Sequence, residues 1–151
     1  MQVPLNLMVV EDNDIDVEIL RRAMRAQGML ADMVHARDGQ EALKLLATQV
    51  EQRCVVAHPF LILLDINMPG MNGHEFLDQL RGTPAISDAR VVVLTTSDNV
   101  RDIARAYRNH VAGYLVKPRS SKELQMLLLA LQGYWSAIAH LPRPEPDQIA
   151  P

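Results

Sequence analysis

Five short apolar runs punctuate the chain, at 5–10, 31–36, 60–65, 90–95 and 113–116. Most are apolar throughout rather than at alternate positions, which reads as strands buried on both faces, as in a parallel sheet. Between them, apolar residues recur at helical spacing. The spacing predicts helices over about 14–27, 39–50, 73–82, 98–110 and 120–139, with Gly28 as a C-terminal stop for the first. The second carries Ala42, Leu43, Leu46 and Val50 on one face, the third Phe76, Leu77 and Leu80. The fourth carries Val100, Ile103, Ala104 and Tyr107, and the fifth Leu124, Leu127, Leu128, Leu131 and Ile138. Five strands alternating with five helices predict an α/β fold, a doubly wound parallel sheet with helices on both faces. The segment from Glu51 to His58 is long for such a connection and reads as an exposed loop.

Chemistry concentrates where the strands end. Asp65 closes the apolar run Phe60-Leu61-Ile62-Leu63-Leu64, and the chain turns at once through Ile66-Asn67-Met68-Pro69-Gly70. Glu11-Asp12-Asn13-Asp14 follows the first strand in the same way. In doubly wound sheets ligands bind at the carboxyl ends of the strands. Adjacent parallel strands would gather Glu11, Asp12 and Asp65 at one sheet edge, where mutual repulsion raises at least one pKa. A hard divalent cation relieves that repulsion, and Mg²⁺ suits a site of one or two carboxylates plus phosphate oxygens. The simpler role for such acids is helix capping, and one of Asp12, Asn13 and Asp14 is expected to cap the helix that follows. Thr95-Thr96-Ser97 ends the fourth strand and Lys117-Pro118 the fifth. Singly, these are an ordinary strand-end hydroxyl and an ordinary solvated charge. Together with the acids they suit a phosphoryl group, with Mg²⁺ and Lys117 neutralising oxygens, Thr95 donating a hydrogen bond and Asp65 as nucleophile.

On these residues the chain resembles the receiver domains of two-component response regulators. The resemblance spans about residues 4–140, with 30 residues from Asp65 to Thr95 and 52 from Asp65 to Lys117. It implies the flavodoxin-like strand order 2-1-3-4-5 and phosphorylation of Asp65 by a phosphohistidine on a sensor histidine kinase. It also implies Mg²⁺ held by Asp12, Asp65 and the backbone carbonyl of Asn67, with Glu11 acting through water. Lys117 and Thr95 would each pair with a phosphoryl oxygen. Thr95 and Tyr114 would form the switch, Thr95 moving toward the phosphoryl group and Tyr114 taking the space it leaves. The simpler role for Tyr114 is a half-exposed strand tyrosine with a polar tip. Asn67 and Ser97, each two residues beyond a site residue, would govern water access and dephosphorylation. Kinase docking would involve Ile15, Ile19 and Arg22 on the first helix.

Within the family, Glu11-Asp12-Asn13, the long loop before the acceptor strand, Leu94-Thr95-Thr96-Ser97 and Gly133-Tyr134-Trp135 with Leu141-Pro142 are similar to the small regulators that partner phytochrome histidine kinases. The pair Lys117-Pro118 departs from some of those and follows the broader receiver pattern.

Composition narrows the alternatives. The 151 residues suggest one domain, and a net charge of −3 with a pI near 5.9 offers no basic surface for nucleic acid or membrane. One cysteine, Cys54, excludes an intramolecular disulfide. No run reaches membrane-spanning length and no signal-peptide pattern is present, so a cytoplasmic protein is expected. Pro142, Pro144, Pro146 and Pro151 mark 141–151 as an extended tail too short for an output domain, which predicts a stand-alone receiver that is not itself an enzyme. Such a protein acts through contacts, as a shuttle to a histidine phosphotransfer protein or on a target directly. A homodimer is expected through 98–116 and the last helix, with residues 134–145, Tyr134 and Trp135 among them, reaching across; the simpler role for Trp135 is to fold back on the domain and cap the core. An aspartyl-nucleophile phosphohydrolase would want an acid two residues beyond Asp65, where this chain has Asn67. A flavodoxin-like cofactor binder would want a Gly/Ser/Thr phosphate loop in place of Glu11-Asp12-Asn13-Asp14. A phosphorylation-independent adaptor would be expected to lack the acid pair or Lys117.

Overall fold

The computed structural model of the protein describes residues 5–29, 33–51 and 60–138. Cys54, most of the segment before the acceptor strand and the Pro-rich tail with Leu141-Pro142 lie outside them. In chain order the elements are β1 (Asn6–Val10), α1 (Asp14–Ala26), β2 (Met33–Ala36), α2 (Gly39–Glu51), β3 (Phe60–Leu64), α3 (Gly73–Gly82), β4 (Arg90–Thr95), α4 (Val100–Arg108), β5 (Gly113–Val116) and α5 (Ser121–Ala137), with one 3-10 turn at Pro84–Ile86. The five strands form one parallel sheet in the order β2-β1-β3-β4-β5. This is the doubly wound, flavodoxin-like order.

Strand alternation splits the core into two layers. Met8, Val10, Ile62, Leu64, Val91 and Val93 point to the α2–α3 side, where Phe76, Leu77 and Leu80 are fully buried. Leu7, Val9, Leu61, Leu63, Val92 and Leu94 point to the other side, against Val17, Leu20 and Met24 of α1 and Leu124 and Leu128 of α5. With both faces covered the central strands need no polar positions, hence their unbroken apolar runs.

Caps set the helix starts. Asn13 caps α1, its side chain accepting from the N–H groups of Ile15 and Asp16, so the neighbouring acids are left for other roles. Asn72, Asn99 and Ser120 cap α3, α4 and α5 in the same way. The Asn99 cap delays α4 to Val100, and His110, at φ 59°, stands just beyond its end, so the helix is shorter than its apolar pattern predicts. Gly28, also at positive φ (62°), follows α1 as expected.

Two expectations are corrected by packing. The stripe on α4 faces outward: Val100 and Tyr107 are 78% and 51% exposed, and Ala106 is instead the helix's buried residue. Trp135, expected at an interface, is 0% exposed and belongs to the α1–α5 core layer. It lies one turn of α5 beyond Leu131, in the layer that also holds Leu20, Ala23 and Met24 of α1. Tyr134 stays half exposed.

Candidate functional site

Four strand ends converge at the carboxyl edge of the sheet. The parallel register β1–β3 pairs Val10 with Leu64, which brings the residues immediately after them side by side. Glu11, Asp12 and Asp65 each offer a carboxylate oxygen, and these oxygens all lie within 4.8 Å of one another. Glu11 and Asp65 are buried, whereas Asp12 is exposed. Backbone hydrogen bonds fix the two loops: Asp65 N–H donates to the Val10 carbonyl at 3.0 Å and Glu11 N–H to the Ala36 carbonyl at 3.0 Å. His35 Nε2 lies 2.7 Å from the Glu11 carbonyl and, facing an oxygen that only accepts, carries the proton.

Lys117 enters from β5, its N–H donating to the Thr95 carbonyl at 2.7 Å. Its ammonium donates to Glu11 Oε2 and Asp16 Oδ2, both at 2.9 Å, and reaches Asp65 Oδ2 at 3.5 Å. Burial pushes Glu11 up to about 7, opposed by the Lys117 hydrogen bond and reinforced by the charge of Asp65. Burial also works against the Lys117 ammonium, but its bonds to Glu11 and Asp16 outweigh that and hold it above the ordinary lysine value. One ammonium among the four carboxyl groups of Glu11, Asp12, Asp16 and Asp65 leaves net negative charge in a partly buried site. The donors are hard oxygens, two of them partnered by Lys117 and one free at the surface, a set that fits a hard divalent cation.

Around Asp65 the backbone closes tightly. Asp65 Oδ1 accepts from Asn67 N–H at 3.1 Å, and Gly73 N–H donates to the Ile66 carbonyl at 3.0 Å. Gly73 is the point of closest approach, since a Cβ there would lie 2.6 Å from the Asp65 carbonyl oxygen. On the far side Thr95 is fully buried and its Oγ1 accepts from Ser97 N–H at 3.4 Å. The Tyr114 hydroxyl donates to the Ser97 carbonyl at 2.9 Å, with the ring packed against the α2–α3 core layer. A cavity of about 130 Å³ opens between this edge and α1, floored by Val9, Leu63 and Leu94 and walled by Val17, Leu20 and Leu124.

The structure thus brings together Glu11, Asp12, Asp65 and Lys117, with Asn67 bonded to Asp65 and Thr95 ending the neighbouring strand, its carbonyl bonded to the Lys117 N–H. Ile15 and Ile19 are exposed on α1 (70% and 45%), and Ile19 lines the cavity. Sequence reasoning missed Asp16, although an acid one turn into a helix that starts at the acidic cluster was a signal. It also missed His74 and Asp102, joined at 3.0 Å between α3 and α4, for which the sequence carries no signal.

A doubly wound sheet with this acidic edge, a strand-end lysine and a buried strand-end hydroxyl defines a receiver-type domain. A model of the response regulator receiver domain matches residues 7–129, and the chain belongs to that family. Among its relatives, the probable methanogenesis regulatory protein FilR2 of Methanothrix harundinacea is 34% identical over 93% of this chain and 90% of its own. Response regulator Rcp1 of Synechocystis is 32% identical over 92% of this chain and 94% of its own. The crystal structure of Rcp1 in its Mn²⁺-bound form superposes with a TM-score of 0.74 over 93% of this chain and 100% of that one. That of the phosphorylated cyanobacterial phytochrome response regulator RcpA gives 0.77 at 32% identity, over 93% and 99%.

Proposed function

We propose that Asp65 is the phosphoacceptor of this receiver domain, taking a phosphoryl group from a phosphohistidine of a partner histidine kinase. What supports this most is the meeting of the Lys117 ammonium with the Asp65 carboxylate beside Glu11 and Asp12, at the carboxyl edge where the strand ending in Thr95 also stops. In the transfer an Asp65 carboxylate oxygen bonds to phosphorus, the P–N bond to the kinase imidazole breaks, and the imidazole leaves with its electron pair. Lys117, swinging from Glu11 and Asp16 toward Asp65, neutralises one phosphoryl oxygen. Thr95 donates its hydroxyl to another, and Tyr114 moves into the space it vacates. Asp12, Asp65 and the Asn67 carbonyl would hold Mg²⁺, with Glu11 acting through water. When bound, Mg²⁺ neutralises charge on the transferring phosphoryl group. Asn67 and Ser97 are small and polar and leave a path for water, so the chain's own chemistry is limited to assisting phosphotransfer and dephosphorylation.

Residues 4–140 form the receiver and 141–151 a tail in this reading. No described helix is long and apolar enough to cross a membrane. We place the protein in the cytoplasm, without nucleic acid or membrane as partners. The likeness to RcpA and Rcp1 supports a phytochrome kinase as donor, by a direct output or through a histidine phosphotransfer protein. A homodimer through α4, β5 and α5 is supported by exposed Val100, Tyr107, Val116, Met126 and Leu129.

The test is transfer of radiolabel from a phosphorylated histidine kinase or acetyl phosphate. Wild type should take label only with Mg²⁺ present, and Asp65→Asn should take none. Label on the Asp65→Asn protein at the wild-type rate overturns the assignment. Steady turnover of a phosphate ester would point to a phosphohydrolase instead.

A further inference from the structure

The peptide that joins Glu11 to Asp12 is held from the edge strand beside it. In the parallel register Val9 lies opposite His35 and Val10 opposite Ala36, where β2 ends. The Glu11 N–H donates to the Ala36 carbonyl at 3.0 Å, which carries the pairing one residue past β1. The Glu11 carbonyl then takes a side-chain donor, His35 Nε2, at 2.7 Å. Both backbone polar groups of Glu11 are therefore bonded to β2, one through its main chain and one through the imidazole.

Asp12 is pinned from its other side as well. The Asn13 N–H donates to Glu11 Oε1 at 3.2 Å, and the Asn13 side chain accepts from the N–H groups of Ile15 and Asp16 at 2.9 and 3.2 Å. The Asp12 carboxylate itself is exposed, and among the described residues no hydrogen bond holds it. Its direction is left to its backbone, and His35 grips the peptide plane on which that backbone turns. A water could satisfy the same carbonyl at this half-buried strand end, and a strand position favours residues such as the neighbouring Val34. What the imidazole adds over water is a donor anchored to the sheet.

We infer that His35 is a positioning residue that, through the Glu11 carbonyl, presets the acidic loop for a divalent cation. This rests on the reading of Glu11, Asp12 and Asp65 as a Mg²⁺ site. A Glu11–Asp12 peptide free to turn would have to be ordered by the incoming ion, which weakens binding. With His35 bonded to it, that ordering is complete before the ion arrives.

Mg²⁺ titrations of the full chain test this, with His35→Phe, His35→Ala and His35→Gln, followed by the amide resonances of Asp12, Asp65 and Asn67. In the metal-free protein the Asp12 amide should shift in His35→Phe, which keeps a ring and loses the donor, and in His35→Ala. Half-saturation of these two variants should need about twofold to tenfold more Mg²⁺, the range that one neutral hydrogen bond allows. His35→Gln, which keeps an N–H donor, should return toward wild type. A merely structural histidine would lower the melting temperature and leave half-saturation unchanged, and that result overturns the inference. So does an unmoved Asp12 amide in both donorless variants, or an equal effect of His35→Phe and His35→Gln. Should His35→Phe fold poorly, His35→Ala decides, because a half-buried side chain leaves little void when it is shortened. Wild type that binds no Mg²⁺ refutes the metal reading and the inference with it. Wild-type binding that both donorless variants retain in full refutes the inference alone.

Discussion

Lys117 donates to Asp16 Oδ2 at 2.9 Å, closer than the 3.5 Å that separates its ammonium from Asp65 Oδ2. The lysine is thus held closer to Asp16 than to the proposed phosphoacceptor. Asp16 is partly exposed, and such a pair is worth up to about 1 kcal/mol. Asp16→Asn should therefore free Lys117 and tighten beryllofluoride binding by up to about fivefold, the equivalent of that energy. Fluorescence or NMR titration in the presence of Mg²⁺ measures it; weaker binding would show that Asp16 assists the site instead.

Gly73 cannot accept a side chain without moving the acceptor loop, because its Cβ would meet the Asp65 carbonyl and the Ile66 Cα at 2.6 and 2.7 Å, both backbone atoms. Gly73→Ala should cost about 1–3 kcal/mol, the range of overpacking in a close-packed site, and slow phosphorylation of Asp65. Urea denaturation together with a labelling time course checks both. Gly82, with open space around its Cβ position, is the matched control.

Arg81 ties four carbonyls with one guanidinium. It donates to Asn109, Ser87, Ala89 and His110 oxygens at 2.8, 2.9, 2.7 and 3.1 Å, closing the C-terminal end of α4 and the loop before β4 onto α3. Arg81→Met keeps the stem and strips all four carbonyls of this donor, and should destabilise the fold by about 2–4 kcal/mol. Arg81→Lys should recover little, since a compact ammonium does not span that fork. Chemical denaturation of the two variants gives the comparison.

Trp135 is a core residue, so Trp135→Ala should cost about 3–5 kcal/mol whatever the oligomeric state. Truncation after Gly133 removes the same indole and should lower the melting temperature. A clean test of the proposed dimer therefore uses the exposed Leu129→Glu, with sedimentation velocity as the readout. Dissociation without loss of melting temperature is the expected result.

Acid should loosen the contact between α3 and α4. Asp102 is held below the ordinary carboxylate value first by the Ser97 hydrogen bond and then by His74, with Arg105 adding charge. A depressed folded-state value means its stabilisation is complete above the ordinary carboxylate range and is lost as pH falls through the folded value. Asp102→Asn should lower stability most at neutral pH, where that contribution is complete, and flatten the fall of stability below about pH 4, near the ordinary aspartate value. Melting curves from neutral to acid pH measure the slope.

The local pattern of the chain was enough for the strands, the helices and the acidic strand ends, while the strand order came from the family resemblance. Runs such as Leu61-Ile62-Leu63-Leu64 are apolar at every position only where both faces are covered, and Asp65 stands out because a charge so placed must lie at a strand end. Asn13 and Ser120 are likewise legible as caps, since capping is a contact within a few residues. Periodicity could not decide which way α4 turns, because its apolar residues and its salt-bridging residues both recur at helical spacing. Only packing against α3 selects the polar face and leaves Tyr107 outside. Trp135 was ambiguous for the same reason, as a large aromatic serves a core or an interface equally well until its neighbours are known. Asp16 beside Lys117 and His74 beside Asp102 join residues 101 and 28 positions apart. Such pairings follow from how strands and helices stack in space, and only the tertiary structure decided them.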